Sequence, residues 1–192
     1  MSSYLNIAAV RECTESEGPG HRFAIWCQGC FRNCKGCCNP EMQPFVERTI
    51  IDPENLKEKI LLSKEKNLIE GVSFIGGEPA LQAEGFSVIA EWCQSVGLSV
   101  LMFSGFLHSE LVEMHNPFVD RLLANLDVLV DGPFIQSKLD HERDWVGSTN
   151  QQVVYLSSRY APGIEKAKGK RSVECFISDS SIKINGWPVD IK

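Results

Sequence analysis

Apolar positions along this chain fall into short β-rich runs that alternate with longer stretches of helical period. Phe23–Cys27 reads as a buried strand. Pro53–Lys66 sets Leu56, Ile60 and Leu61 at helical spacing, with Asp52 as N-cap before a first-turn proline. Gly71–Ile75 reads as a strand closed by Gly76-Gly77, and Ala80–Ser95 as a helix with Phe86, Ile89, Ala90 and Cys93 on one face. Leu98–Phe103 is a further strand, and His108–Leu126 a helix interrupted near Pro117. Asp127–Val130 is a strand stopped by Asp131-Gly132-Pro133. Strands and helices in this order imply crossover connections and a parallel sheet.

The rest of the chain behaves differently. Gln152–Leu156 and Val173–Ser178 read as strands, and Ile182–Pro188 contains Asn185-Gly186, a hairpin-turn pair. No internal boundary is visible. The reading is one α/β domain over 1–192, with a core at about 15–156 and C-terminal strands or a hairpin at 173–192. The core is expected to be an incomplete parallel β/α barrel or an open curved sheet. In such folds ligands collect at the carboxyl ends of strands. The turns Gln28-Gly29, Gly76-Gly77-Glu78-Pro79, Ser104-Gly105 and Asp131-Gly132-Pro133 all fall there and should line one rim.

Composition narrows the class. The 192 residues suffice for one core without staples, and 43% hydrophobic with 23% charged residues is an ordinary globular balance. A net charge of -6 supplies no concentrated basic face, so a nucleic-acid surface is not indicated. The local run Lys166–Arg171 reads as a solvated stretch. No stretch approaches the roughly 20 apolar residues of a membrane span. Met1–Arg11 has no secretory pattern, which points to the cytoplasm, where thiols stay reduced.

Eight cysteines then need a reason, and five of them lie between Cys27 and Cys38. Such clustering argues for metal rather than disulfides. Cys30, Cys34 and Cys37 can wrap one [4Fe–4S] cluster from a single loop, and three thiolates on four irons leave one iron open to a small molecule. The competing reading adds Cys27 as a fourth ligand of a structural zinc site. Against it, Cys27 ends an apolar run, where a free cysteine is a small core hydrophobe. His21, His108, His115 and His141 form no metal-like spacing.

Several runs together resemble one family. Glu17-Gly18-Pro19-Gly20-His21-Arg22-Phe23, then Gln28-Gly29-Cys30-x-x-x-Cys34-x-x-Cys37-x-Asn39-Pro40-Glu41, closely resemble the signature of radical S-adenosylmethionine activases of glycyl-radical enzymes. Gly76-Gly77-Glu78-Pro79, Asp127–Gly132 and Trp145–Gln151 follow in the family's order. The last two look most like the branch that activates anaerobic ribonucleoside-triphosphate reductase. The resemblance covers roughly residues 15 to 155.

It implies a radical S-adenosylmethionine barrel, with Cys30, Cys34 and Cys37 holding one [4Fe–4S] cluster. Gly36, Cys38, Gly76, Gly77, Glu78, Ser104 and Asp131 would contact S-adenosyl-L-methionine or its nucleoside side. The Gly76-Gly77-Glu78 run suits an ammonium group, because glycines admit backbone carbonyls closely and Glu78 offers a charge-assisted acceptor. Three positions depart from the family pattern. Cys38 stands where an aromatic or apolar residue usually lies beside adenine, Pro133 where a lysine is common, and Val146 where an arginine is common. The implied activity is reductive cleavage to a 5′-deoxyadenosyl radical that generates a glycyl radical on a partner such as anaerobic ribonucleotide reductase. Flavodoxin or ferredoxin would supply the electron. The alternatives are a small-molecule or peptide enzyme resembling 7-carboxy-7-deazaguanine synthase, and a non-enzymatic zinc or iron–sulfur module.

Overall fold

A computed structural model describes residues 3–166, 173–178 and 181–186. Most of the Lys166–Arg171 run and the end of the expected 173–192 segment lie outside them. The elements are β1 (Leu5–Thr14), β2 (Arg22–Cys27), β3 (Thr49–Ile51), α1 (Pro53–Asn67), β4 (Gly71–Gly76) and α2 (Ala83–Ser95). There follow β5 (Ser99–Phe103), α3 (His108–Glu113), α4 (Pro117–Ala124), β6 (Val128–Asp131), β7 (Gln152–Tyr155), β8 (Val173–Ser178) and β9 (Ser181–Gly186).

The main sheet runs β3-β1-β2-β4-β5-β6-β7. Its centre, β2-β4-β5-β6, is parallel, with helices in the connections, as the alternation of periods requires. The outer strands β1, β3 and β7 join antiparallel. The fold is thus mixed α/β around a parallel core. Among the described residues no helix is long and apolar enough to cross a membrane.

Side-chain alternation assigns the two faces of the sheet. Phe23, Ile25 and Cys27 of β2, Val72 and Phe74 of β4, and Val100 and Met102 of β5 enter the main core. There they meet Leu56 and Ile60 of α1, Phe86, Ile89 and Cys93 of α2, and Val119 and Leu122 of α4. The intervening residues Ala24, Trp26, Ile75 and Phe103 face the other way.

The amino ends of the strands are tied by Arg22, which is fully buried. Its guanidinium donates to Ser73 Oγ (2.7 Å), Pro19 O (3.2 Å), Ser99 Oγ (2.9 Å), Tyr160 Oη (3.2 Å) and the carbonyls of Val72 (2.5 Å) and Ser99 (3.3 Å). A buried cation is tolerable when its donors are matched in this way.

Three features differ from the pattern. β1 and β3 have no clean alternation, since they lie at the sheet's antiparallel margin and much of each strand is exposed. A 3-10 turn, Pro79–Gln82, precedes α2, because the Glu78 carboxylate holds Ala80 N–H at 3.0 Å. The expected break near Pro117 is present: it separates two helices, α4 being capped by Asn116 accepting from Phe118 N–H. Asn185-Gly186 is not the turn of the C-terminal hairpin. It ends β9 opposite Val173 and Glu174, and strand pairing closes at Ser178–Ser181.

Candidate active site

The cysteine loop leaves the carboxyl end of β2 and is fastened at its base. Gly29 N–H donates to Met42 O (2.8 Å) and Cys30 N–H to Gln43 O (2.9 Å). Gln28 Nε2 donates to Pro44 O (2.7 Å) and Glu41 O (3.2 Å). Gly29 takes φ +102, and a side chain there would strike the Phe45 ring. Between these anchors Phe31 meets the Phe106 ring edge to face, Arg32 pairs with Glu110, and two backbone N–H groups donate to sulfur. Arg32 N–H donates to Cys30 Sγ and Asn39 N–H to Cys37 Sγ, each at 3.4 Å. Gly36 turns the loop at φ +74 and lies against Gln136, where a side chain would collide.

Cys30, Cys34, Cys37 and Cys38 all line one cavity of about 430 Å³ over the face opposite the main core. Cys27 does not; it is fully buried among core residues. The period-two alternation of β2 sends Trp26 into the cavity and Cys27 away from it. A four-thiolate zinc site using Cys27 is therefore out of reach. Among the described residues no three His, Cys, Asp or Glu groups gather as ligands of a single metal ion would. The group such a loop would hold is larger, and the donors suit it: half-buried thiols facing a roomy cavity, with backbone N–H groups aimed at sulfur. Burial raises the Cys30 thiol above its ordinary value, so metal uptake there must displace a proton, and it pushes Cys38 up to about 11.

Gly76 and Gly77 weld β4 to this loop. Gly77 N–H donates to Cys27 O (2.8 Å) and Glu78 N–H to Gly29 O (2.9 Å). A Cβ on Gly76 would approach Cys27 backbone to 2.6 Å, and one on Gly77 would overlap the Gly29 carbonyl. Glu78 lines the cavity, yet its carboxylate is 1% exposed and largely engaged. Oε1 accepts from Ala80 N–H (3.0 Å) and Ser104 Oγ (2.9 Å), and Oε2 from Gly105 N–H (2.7 Å). Burial pushes it up to about 7, against the pull of these donors and of Arg32. It thus ties the rim of β4 to that of β5. Ser104, 4% exposed, also accepts from Phe106 N–H (3.1 Å).

Asp131 reaches the same rim but not the cavity wall, which Gly132 forms. Its oxygens accept from His108 N–H (2.7 Å) and Gln152 N–H (3.2 Å), joining α3 to β7. Gln151 Nε2 donates to Gly132 O (3.1 Å) and Asn150 Nδ2 to Pro133 O (2.8 Å), so the Gly147–Gln151 motif holds the β6 turn in place. Val146 is fully buried. The cation that serves this motif is Arg143, which donates to Asp140 Oδ2 (2.6 Å), Gln151 O (2.9 Å) and Ser148 O (3.2 Å).

Sequence reasoning missed this arginine, and also the aromatic wall of Trp26, Phe103, Phe134 and Trp145. Phe103 and Trp145 meet edge to face at 6.4 Å, with Trp145 held at φ +48. The strand alternation carried the signal for Trp26 and Phe103, and Trp145 opens the Trp145–Gln151 run; nothing local marked Phe134. Glu17 opens the Glu17–Phe23 run. It lines the cavity, and burial with Glu174 nearby pushes its carboxyl up to about 8.

Residues 16–154 match the 4Fe-4S single cluster domain family, and the chain belongs to that family. Its cofactor is one [4Fe–4S] cluster. Curated relatives refine the picture. The anaerobic ribonucleoside-triphosphate reductase-activating protein of Vibrio cholerae is 30% identical over 143 residues, 71% of this chain and 88% of its own length. The protein of the same name from Escherichia coli K12 is 29% identical over 152 residues, 72% of this chain and 91% of its own. That of phage T4 is 23% identical over 153 residues, 78% and 93% respectively. Among solved structures, QueE from Escherichia coli aligns with a TM-score of 0.40 and 16% identity over 56% of this chain and 55% of its own, too slight to bear on fold or function.

Proposed function

We propose that this chain is a radical S-adenosylmethionine activase that installs a glycyl radical on an anaerobic ribonucleotide reductase. The observation that carries the proposal is the separation of thiols by the sheet. Cys30, Cys34 and Cys37 open on the glycine-rimmed cavity while Cys27 is sealed in the core; Cys38 also reaches the cavity but adjoins Cys37 and takes a packing role, which leaves three ligands. Cys30, Cys34 and Cys37 would hold the cluster, and the rim of Gly76, Gly77, Glu78 and Ser104 would hold S-adenosyl-L-methionine. Held there, the cluster would supply the single electron for reductive cleavage of S-adenosyl-L-methionine, the chemistry needed to abstract a hydrogen atom from a glycine Cα.

The chain's residues contribute position and exclusion. N–H donation to Cys30 and Cys37 sulfur spreads thiolate charge and orients the loop. Gly76 and Gly77 line the cavity wall, and their lack of side chains lets this turn press against the Cys27 and Gly29 backbone. The Glu78 carboxylate, occupied by Ala80, Ser104 and Gly105, fixes the rim, leaving the ammonium to main-chain acceptors. Trp26, Phe103, Phe134 and Trp145 limit water beside the reacting group. No general base is needed. The rest of the reading is an incomplete β/α barrel in a single domain, flavodoxin or ferredoxin as electron donor, and a cytoplasmic setting without membrane or nucleic acid.

Anaerobic reconstitution with iron and sulfide tests the proposal. The expected result is a brown protein with about four irons, forming 5′-deoxyadenosine under dithionite and a glycyl doublet in electron paramagnetic resonance once reductase is added. A colourless protein holding zinc, inert toward S-adenosylmethionine, overturns it.

A further inference from the structure

β8 and β9 form a two-stranded sheet separate from the main one, and both lie beyond the family match that ends at residue 154. The two faces of this hairpin differ. One is clasped to the end of β1. Glu174 accepts from Thr14 Oγ1 (2.5 Å) and Glu15 N–H (2.9 Å), and Asn185 Nδ2 donates to Thr14 Oγ1 (2.9 Å). Arg11 lies 3.7 Å above the Phe176 ring. The register pairs Cys175 with Ile184 and Ile177 with Ile182, so these four side chains share the other face with Val173. That face is apolar and exposed, Ile177 by 78% and Ile182 by 67%.

A lone hairpin is marginal in water, and a contiguous exposed apolar patch marks a contact surface. Its position says which contact. Ile184 belongs to the exposed face and, with Asn185 and Gly186, to the cavity wall. Ile184 therefore joins the exposed apolar face of the hairpin to the lip of the cavity. If the activase reading holds, on which this inference rests, a polypeptide must cross that lip to bring its glycine Cα inside.

We propose that the outer face of β8–β9 is the docking surface for the radical acceptor. An extended, apolar segment beside the acceptor's reactive glycine lies across Ile177, Ile182 and Ile184.

The test uses the full chain, reconstituted anaerobically, as wild type and as the double variant Ile177→Asp/Ile182→Asp, titrated with anaerobic ribonucleoside-triphosphate reductase. The variant is expected to need about tenfold more reductase for a half-maximal glycyl doublet. Maleimide labelling of the exposed Cys175, read by peptide mass, should be slowed by reductase in wild type and not in the variant. An unchanged titration with unchanged protection overturns the proposal. So does loss in the variant of 5′-deoxyadenosine formed without reductase, since the hairpin would then serve the cofactor cavity. A wild-type dimer in light scattering that the double variant dissociates also overturns it, because a second copy would cover the face. If wild type itself forms no 5′-deoxyadenosine, it is the activase reading that fails.

Discussion

Cys27 and Cys30 sit three positions apart and serve opposite sides of one sheet. Replacing Cys30, Cys34 or Cys37 by Ala is expected to remove the iron chromophore and all cleavage of S-adenosylmethionine. Cys27→Ala should keep both and lower stability by about 1 kcal/mol, read from denaturant midpoints. Gly77→Ala carries a methyl group into the Gly29 carbonyl, so it should fold yet bind the cluster poorly, seen as reduced iron per chain at unchanged far-ultraviolet dichroism. Glu17 gives a pH signature. It keeps its proton to about 8 when folded but loses it near 4.5 when unfolded. Its contribution to stability is thus present below pH 4.5 and lost as pH rises to about 8. Glu17→Gln should match wild type at pH 4 and exceed it at pH 8 in melting temperature of the apoprotein.

The elements are held from two ends by different means. At the amino ends Arg22 links β2, β4 and β5 to Tyr160, far along the chain from the cysteines. Arg22→Ala leaves several buried acceptors unpaired and should cost roughly 3 kcal/mol, with the iron content of the folded fraction unchanged. At the carboxyl ends the ties are turns: Glu78 joins β4 to β5, and Asp131 joins β6 to α3 and β7. The turns at Glu78 and Asp131 were legible in the sequence as rim residues, and Gln151 as part of a motif run. What their side chains touch was not, because each partner lies on another element. Arg143 shows the same limit. It is three residues from Asp140 and eight from Gln151, and only the folded turn brings all three together.

For the molecule as a whole, the loop anchors predict how it behaves without iron. Gly29–Met42 and Cys30–Gln43 close the loop at its base, outside the thiols. Chelation should therefore leave the sheet's dichroism intact while faster hydrogen exchange stays within about residues 31–41. The sequence by itself determined the parallel centre, the helices of its crossovers, the cysteine loop and the order of rim turns, because these follow from local period and from residue types that admit few conformations. Only the tertiary structure decided the rest. It placed β1 and β3 at the sheet's margin, where half-exposed strands carry weak alternation. It turned Asn185-Gly186 from an expected turn into a strand end against the cavity, since Glu174 and Asn185 find their partners near Thr14, over 150 residues away. And it divided Cys27 from Cys30, because which side of a sheet a strand residue faces is fixed by what packs on that side.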